Sequence, residues 1–182
     1  MSVLHLINRP LIVALALPTV GGTLSGYATY DSKNSAWYRG IKQPSWKPPP
    51  FLFGPVWTTL YGMMGYASYL VWREGQLHPA LAPAATAALR VYAANLVCNL
   101  AWMPVFFGAR QLGAATLLAW VLFGTTAALA AVFAPVHAGA GGLILPYVGW
   151  TAYAACLTTW IWRHNPGASG KSAPATPASK RH

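Results

Sequence analysis

Long runs without a charged residue most constrain how this chain of 182 residues can fold. Uncharged runs of 21, 25, 19 and 52 residues follow Arg9, Lys47, Arg90 and Arg110. Charged residues make up only 8% of the chain, against about 25% in an ordinary soluble domain. A membrane-spanning helix needs roughly 20 apolar residues. A soluble bundle would need polar helix faces at helical spacing. These segments lack such faces, so the sequence predicts a membrane protein.

The uncharged runs divide into five predicted spans. The 52-residue run is too long for one span, and APVHAGAGG (134–142) is expected to break it. We therefore predict an all-α membrane protein with five transmembrane helices, at 10–30, 53–72, 83–107, 112–134 and 143–162. The first is interpreted as an uncleaved helix, because its apolar pattern continues without a small-residue cleavage site. Residues 1–165 form the predicted membrane domain, and 166–182 a disordered basic tail.

Basic residues are divided unequally between the two membrane faces that five spans define. Arg9, Arg73 and Arg90 fall on the N-terminal side. Nine fall on the other side: Lys33, Arg39, Lys42, Lys47, Arg110, Arg163, Lys171, Lys180 and Arg181. Cytosolic loops carry an excess of Lys and Arg, so the first loop and the tail are predicted in the cytosol. Topology and contact with anionic lipid account for the net charge of +10 without any nucleic acid.

The chain lacks the residues of most catalytic and metal sites. Its two carboxylates, Asp31 and Glu74, are predicted on opposite membrane faces, which excludes a paired acid/base mechanism. The five histidines lie in loops or at termini, without the spacing of a helical metal motif. No span has a charge at its middle, where proton relays and ion pathways usually have one. Cys98 and Cys156 fall inside spans and are interpreted as buried thiols.

Aromatic side chains are abundant instead, with nine tryptophans and nine tyrosines. Tryptophans at span ends suit the interfacial belt. Three others, Trp57, Trp102 and Trp150, fall near the loop-facing ends of their spans, as do Asn95 and Asn99. Asparagines in a span normally bond to neighbouring helices. Both that role and contact with a ligand remain open for these two residues.

Several motifs in sequence order resemble the translocator protein family, also called the peripheral benzodiazepine receptor or tryptophan-rich sensory protein family. They are WYRGIKQPSWKPP (37–49), GPVWTTLY (54–61), GYASYLVWREG (65–75), NLAWMPVFFGARQLG (99–113), LPYVGW (145–150) and WRHN (162–165). The resemblance covers about residues 10–165 and is specific because the motifs occur together.

The resemblance implies a five-helix bundle whose ligand cavity opens toward the first loop, which covers it as a Trp/Pro-rich lid. The implied ligands are porphyrins such as protoporphyrin IX, haem and its precursors, sterols, and synthetic benzodiazepine-type drugs; no obligatory cofactor is expected. Carried over by position, the pocket residues are Gly26, Thr29, Trp46, Pro48, Pro49, Phe53, Gly54, Val56, Trp57, Asn99, Trp102, Ala114, Leu117, Val121, Trp150, Ala154 and Leu157.

Three positions depart from the family pattern. Ala114 stands where the family has an aromatic pocket residue, so drug affinity does not carry over automatically. Thr159 stands where the C-terminal cholesterol motif has tyrosine, which puts sterol binding through that motif in doubt. Arg90 stands where the third span often has glycine, so the homodimer that the resemblance implies, by small-residue packing, need not use the family interface.

The leading interpretation is a membrane binding protein and translocator for a flat, apolar, tetrapyrrole- or sterol-sized ligand. The alternatives are a light- and oxygen-dependent porphyrin-degrading enzyme that uses Trp57, Trp102 and Trp150, and a membrane scaffold that binds protein partners through its tail. Pro48, Pro49 and Pro50 are expected to form an extended strut within the lid. The resemblance to animal members suggests the mitochondrial outer membrane.

Overall fold

The computed structural model describes residues 9–33 and 35–170, and all the regular elements of these residues are helical. Two short helices, α2 (Tyr30–Lys33) and α3 (Ala36–Gly40), lie in the first loop. The five long helices are α1 (Arg9–Ala28), α4 (Pro50–Leu77), α5 (Ala82–Met103), α6 (Leu112–Phe133) and α7 (Ala138–His164). A 3₁₀ turn, Pro79–Leu81, precedes α5, and a π-helical turn, Pro104–Gly108, follows it.

Four of the long helical segments are long and apolar enough to cross a membrane: α1, the segment Pro79–Gly108 that contains α5, α6 and α7. The prediction of an all-α membrane protein is confirmed. Of the five predicted spans, four correspond to helices that meet the length and hydropathy of a membrane span. The fifth long helix, α4, has 28 residues and would extend about 42 Å. Its mean hydropathy is lower because it carries Tyr and Trp side chains with polar tips, together with Arg73 and Glu74.

The five long helices form a ring in the order α1, α4, α7, α6, α5, and α4 and α5 also touch across the middle. The main apolar core lies between α4, α5, α6 and α7, around Met64, Leu129 and Ile144. In contrast, α1 buries few of its side chains. Its close packing depends on Gly65 of α4, where a Cβ atom would lie 2.5 Å from the Ala14 carbonyl oxygen. Small residues allow helix backbones this close in membranes.

The break between α6 and α7 is shorter than the sequence predicts. α7 begins at Ala138 rather than 143 and includes the glycines of the predicted breaker. Gly141 packs directly against Ala134, where a Cβ atom would lie 2.7 Å from that residue's Cβ. His137 caps the helix, because its Nδ1 accepts a hydrogen bond of 3.1 Å from the Ala140 backbone N–H.

The proline strut is also shorter than predicted. Pro49 has φ −54° and ψ 139°, which is polyproline-like backbone. Pro50, however, is the first residue of α4. Proline suits this position because its fixed φ is helical and its missing N–H would be unpaired there anyway. The prediction of extended backbone was therefore wrong for Pro50.

A proline also sets the winding after α5. Pro104 has no N–H to donate to the Leu100 carbonyl, and Ser25 Oγ of α1 donates to that carbonyl instead, at 3.1 Å. The chain then winds as a π turn, closed by the Ala109 N–H donating to the Pro104 carbonyl at 2.8 Å. Arg110 ends the turn with φ 54°, in the left-handed region.

Candidate functional site

Five aromatic side chains form a continuous row beneath the first loop, which we call the aromatic row. Trp57 and Phe53 of α4 lie 6.4 and 5.8 Å from the Trp150 ring of α7, centroid to centroid. Tyr153 is 5.6 Å from Trp150 and 5.6 Å from Trp46 of the first loop. These separations are typical of favourable edge-to-face and offset pairs. The Tyr153 hydroxyl also donates to the Trp46 carbonyl at 3.1 Å, which joins the loop to α7.

The indole N–H of Trp150 is the one polar group in this row that is buried without a hydrogen-bond partner in the described structure. The neighbouring tryptophans differ. Trp102 donates to the Ala115 carbonyl at 3.1 Å, and Trp37 donates to the Ala168 carbonyl at 2.9 Å. Since most buried polar groups are paired, the free donor of Trp150 marks this row as a place where a ligand acceptor can bind.

A second group of rings, the loop cluster, anchors the first loop on the π turn. Trp102 stacks on Phe106 with centroids 4.9 Å apart. Trp37 meets the same ring at 6.0 Å, and Tyr38 meets Phe107 at 5.2 Å. Trp37, Phe106 and Phe107 are buried. The first loop is therefore held on the end of the bundle by apolar contacts.

A chain of polar side chains, the polar chain, connects four helices below the aromatic row. The Tyr61 hydroxyl donates to Asn99 Oδ1 at 2.9 Å, and Asn99 Nδ2 donates to the Tyr147 hydroxyl at 2.8 Å. Tyr147 donates to Asn95 Oδ1 at 3.3 Å, and Asn95 Nδ2 donates to Thr126 Oγ1 at 2.9 Å. Both asparagines thus bond to neighbouring helices, as one of the two interpretations predicted. Ligand contact by Asn99 stays a prediction.

The segment after α7 fastens the far side of the first loop. The Lys42 N–H donates to Asn165 Oδ1 at 2.7 Å, and Asn165 Nδ2 donates to the Lys42 carbonyl at 3.0 Å. The Ala168 carbonyl accepts from Trp37, and the Gly170 N–H donates to the Arg110 carbonyl at 3.1 Å. Within residues 166–170 of the predicted disordered tail, Ala168 therefore contacts the first loop, and Gly170 contacts the segment between the π turn and α6. The rest of that tail lies outside the described residues.

Comparison with known proteins identifies the family. The model of the TspO/MBR family matches residues 14–163. The chain belongs to the TspO/MBR family. It is similar to the translocator protein of Sus scrofa, at 39% identity over 91% of this chain and 96% of the relative. The translocator protein of Homo sapiens is 39% identical over 85% and 94% of the two chains. The tryptophan-rich protein TspO of Archaeoglobus fulgidus is 30% identical over 91% and 99%.

The structure of this TspO/MBR protein brings together about half of the predicted pocket residues. Phe53, Trp57, Trp150 and Trp46 belong to the aromatic row. Val56 packs beside Trp57 and Trp150 on the main core, whereas Trp102 and Leu157 belong with Phe53 to the adjoining apolar cluster. Asn99 lies in the polar chain next to Tyr147, whose ring is 6.1 Å from Trp57.

Three predicted pocket residues of α6 lie away from the other predicted pocket residues. Ala114, Leu117 and Val121 are exposed on the outer surface of the bundle, and Leu117 is 68% exposed. Their spacing of three and four residues places them on one helix face. The inward face of α6 instead carries Ala115, Ala119, Leu122, Thr126 and Leu129.

The remaining predicted residues differ in their exposure. Thr29 is buried, and its hydroxyl donates to the Ser25 carbonyl at 2.9 Å. Gly26, Pro48 and Ala154 are half-buried, whereas Gly54 and Pro49 are exposed. Two surface cavities of about 460 and 440 Å³ occur in the described structure, and neither is lined by a predicted pocket residue.

The structure also shows the surroundings of the residues that depart from the family pattern and of the two cysteines. Thr159 accepts a hydrogen bond of 3.0 Å from Trp120 Nε1, so it joins α7 to α6. Arg90 and Ala94 are exposed on the outer face of α5. The cysteines are free, and Cys98 is half-buried. Cys156 is exposed on the outer surface, so the prediction of a buried thiol was wrong for it. Among the described residues, no three His, Cys, Asp or Glu side chains converge.

Sequence reasoning missed Tyr153, Tyr147 and Tyr61 as parts of the site. Tyr61 ends the GPVWTTLY motif and Tyr147 lies within LPYVGW, so the motifs contained two of the three. Tyr153 lies three residues after Trp150 on the same helix face, as helical spacing allows. The role of Asn165 in holding the loop was also missed, although it ends the WRHN motif.

Proposed function

We propose that this TspO/MBR protein binds a flat, largely apolar ligand between α4, α7 and the first loop, and that it translocates this ligand. The observation that carries the proposal is the aromatic row with the unpaired Trp150 N–H at its centre. Tetrapyrroles such as protoporphyrin IX and haem suit such a row best, because their rings stack on aromatic faces and their carboxylates accept hydrogen bonds. Sterols, which lack an extended π system, are the second ligand class.

The first loop supports the proposal because it can act as a lid. It touches the row through Trp46, whose ring and carbonyl both contact Tyr153. Separation of this one pair would open the row from the loop side, while the loop cluster and Asn165 still hold the remainder of the loop. Apolar pockets with few polar groups and a movable cover are typical of sites for such ligands.

A binding titration of the purified protein tests the proposal. Protoporphyrin IX, haem and cholesterol are added separately, and saturable quenching of tryptophan fluorescence or a competition assay measures each dissociation constant. Trp150→Phe keeps a ring but removes the free N–H. It is expected to weaken protoporphyrin IX binding by about two- to tenfold, the effect of one hydrogen bond.

Trp120→Phe is the matched control. Trp120 lies on the outer side of α6, where its N–H is already bonded to Thr159, so its loss should leave the dissociation constant unchanged. Equal affinities for the wild type and Trp150→Phe would contradict the role of the free N–H. Absence of saturable binding by all three ligands would contradict the proposed function.

The same protein under illumination distinguishes the enzymatic alternative. Trp57, Trp150, Tyr153 and Trp46 form an unbroken series of oxidisable rings, which favours a porphyrin-degrading enzyme as the second candidate. Conversion of protoporphyrin IX to a new absorbing product in light and oxygen, lost in Trp150→Phe but not in Trp120→Phe, would support degradation. Binding without conversion would support a binding protein alone.

We further propose that the first loop faces the cytosol and that the protein resides in the mitochondrial outer membrane as a homodimer. The excess of basic residues on the loop side supports the orientation. The proposed membrane and the homodimer follow the resemblance to animal members of the family, with which this chain shares 39% identity. Labelling of Ser45→Cys in intact organelles with a membrane-impermeant maleimide tests the orientation, since Ser45 is exposed in the first loop.

A further inference from the structure

A groove of about 440 Å³ lies between α1, α4 and α5. Arg9 begins α1, and the first loop follows the other end of that helix, so the groove is at the opposite membrane face from the aromatic row. Arg9, Val13, Leu17, Ser68, Trp72 and Tyr92 are among the residues that line it. None of them belongs to the site described above.

The groove changes from charged to apolar along its length. Arg9 is exposed at the start of α1, and Val13 and Leu17 follow it at intervals of one helical turn, both more than half exposed. Trp72 of α4 forms the opposite wall and stacks on Tyr69, with ring centroids 6.1 Å apart. Tryptophan and tyrosine occupy the headgroup level of a bilayer. The charged end therefore lies where lipid headgroups are, and the apolar part extends toward the hydrocarbon core.

A buried hydroxyl group in the wall of this groove needs an acceptor. Tyr92 is 7% exposed, and its hydroxyl has no hydrogen-bond partner in the described structure. The Ser68 hydroxyl, which donates to the Gly65 carbonyl at 2.8 Å, is a polar neighbour but lies outside hydrogen-bond geometry to the Tyr92 hydroxyl. An unpaired buried donor is costly in apolar surroundings. An acceptor supplied from the groove would remove that cost.

We propose that this groove binds one diacyl phospholipid with an anionic headgroup. The phosphate pairs with Arg9, one acyl chain lies along Val13 and Leu17, and an ester carbonyl accepts the hydrogen bond of the Tyr92 hydroxyl. Arginine matches phosphate geometry well, and the ester carbonyls of a phospholipid lie just below its headgroup, as Tyr92 requires.

Charge complementarity favours a lipid over a second copy of the chain as the occupant. A partner chain would need a carboxylate to pair with Arg9, and the sequence has only Asp31 and Glu74. Asp31 belongs to the first loop at the other membrane face, and the Glu74 side chain is only 17% exposed and lies 3.3 Å from His78 Nε2 of its own chain. A sterol would supply no anion for Arg9.

Native mass spectrometry of the full-length protein with added lipid tests the proposal. Dimyristoyl phosphatidylglycerol is expected to bind about fivefold more tightly than dimyristoyl phosphatidylcholine at the first site, the effect of one arginine. Arg9→Gln should abolish this preference. Tyr92→Phe should weaken both lipids by about two- to tenfold, because both carry the ester carbonyl.

Arg90→Gln is the matched control, because Arg90 lies outside this groove on the outer face of α5. It should leave the preference unchanged, and an equal loss in both arginine variants would overturn the proposal in favour of diffuse charge attraction. An unchanged affinity of Tyr92→Phe would overturn the carbonyl contact. Displacement of the lipid by inorganic phosphate would show an anion site rather than a lipid site and would also overturn it.

Two further measurements test whether something other than a lipid occupies the groove. Removal of residues 2–8 should leave lipid affinity unchanged; an increase would show that the chain's own N-terminal segment fills the groove. Arg9→Gln should not alter the fraction of dimer in the same spectra, whereas a loss of dimer with unchanged lipid binding would show a second copy there. Protoporphyrin IX affinity, which depends on the other end of the bundle, should be the same in all variants and reports that they are folded.

Discussion

The aromatic row and the polar chain lie next to each other, but they satisfy their polar groups in opposite ways. In the polar chain, Asn95 and Asn99 bond side chains of α4, α6 and α7. In the aromatic row, the Trp150 N–H is left unpaired and the rings meet only edge to face or tilted. The polar chain therefore joins α4, α5, α6 and α7 to one another, whereas the row leaves one buried donor unpaired.

The largest expected effect comes from breaking the polar chain. Asn95→Leu removes the acceptor of Tyr147 and the donor to Thr126 in the interior, so it should lower the free energy of unfolding by about 1–3 kcal/mol. Thermal unfolding in detergent measures this loss. Thr86→Val is the control, because Thr86 is exposed and bonds only within its own helix. Equal melting temperatures of Asn95→Leu and the control would show that the polar chain does not contribute to stability.

Trp102→Phe sharpens the comparison between two tryptophans. The Trp102 N–H is bonded to the Ala115 carbonyl, so its removal deletes a hydrogen bond between α5 and α6 and should destabilise the protein by about 1 kcal/mol. Trp150→Phe removes an N–H that bonds nothing in the protein and should leave the melting temperature unchanged. In contrast, Trp150→Phe should weaken ligand binding more than Trp102→Phe does. Equal melting-temperature changes in the two variants would contradict the distinction.

Asn165→Ala tests whether the fastening of the loop controls access to the row. The variant removes both hydrogen bonds to the Lys42 backbone, each a net contribution of about 0.5–1.5 kcal/mol. Protoporphyrin IX should associate and dissociate several-fold faster, with a smaller change in the dissociation constant. Stopped-flow fluorescence measures the rates, and Asn165→Asp keeps the acceptor for the Lys42 N–H as a partial rescue. Unchanged rates in Asn165→Ala would assign the loop a purely structural role.

The smallest effect is expected from the prolines of the loop. Pro48→Ala with Pro49→Ala adds freedom to the unbound loop, and each such change is worth about 0.4–1 kcal/mol. Ligand affinity should fall about threefold or more, with little change in melting temperature. Pro79→Ala, in the exposed turn before α5, is the control and should leave affinity unchanged. A loss of stability as large as the loss of affinity would make the loop a simple connector.

The positions of the long helices were predicted well because charged residues mark the ends of the uncharged runs. Which face of each helix is buried was predicted poorly. The start of α7 was missed because glycine usually breaks helices, whereas Gly141 serves here for close packing on Ala134. The orientation of α6 could not be predicted because that helix is apolar on every side, so hydrophobic periodicity carries no signal. Ala114, Leu117 and Val121 rested on family resemblance alone, and they lie outside. Trp46, Trp57 and Trp150 of the aromatic row were among the predicted residues because they belong to motifs, whereas Tyr153 lies outside the motifs and was missed.

The contacts of Asn165 and Ala168 show that the folded membrane domain extends further along the chain than the segment matched by the family model. The family match stops at residue 163, and a protein shortened to that limit would appear complete by alignment. It would lose the residues that hold Lys42 and Trp37, and its loop would be untethered on one side. Truncations for crystallisation, and fusion partners joined at the C-terminal side, should therefore keep the chain through at least Gly170.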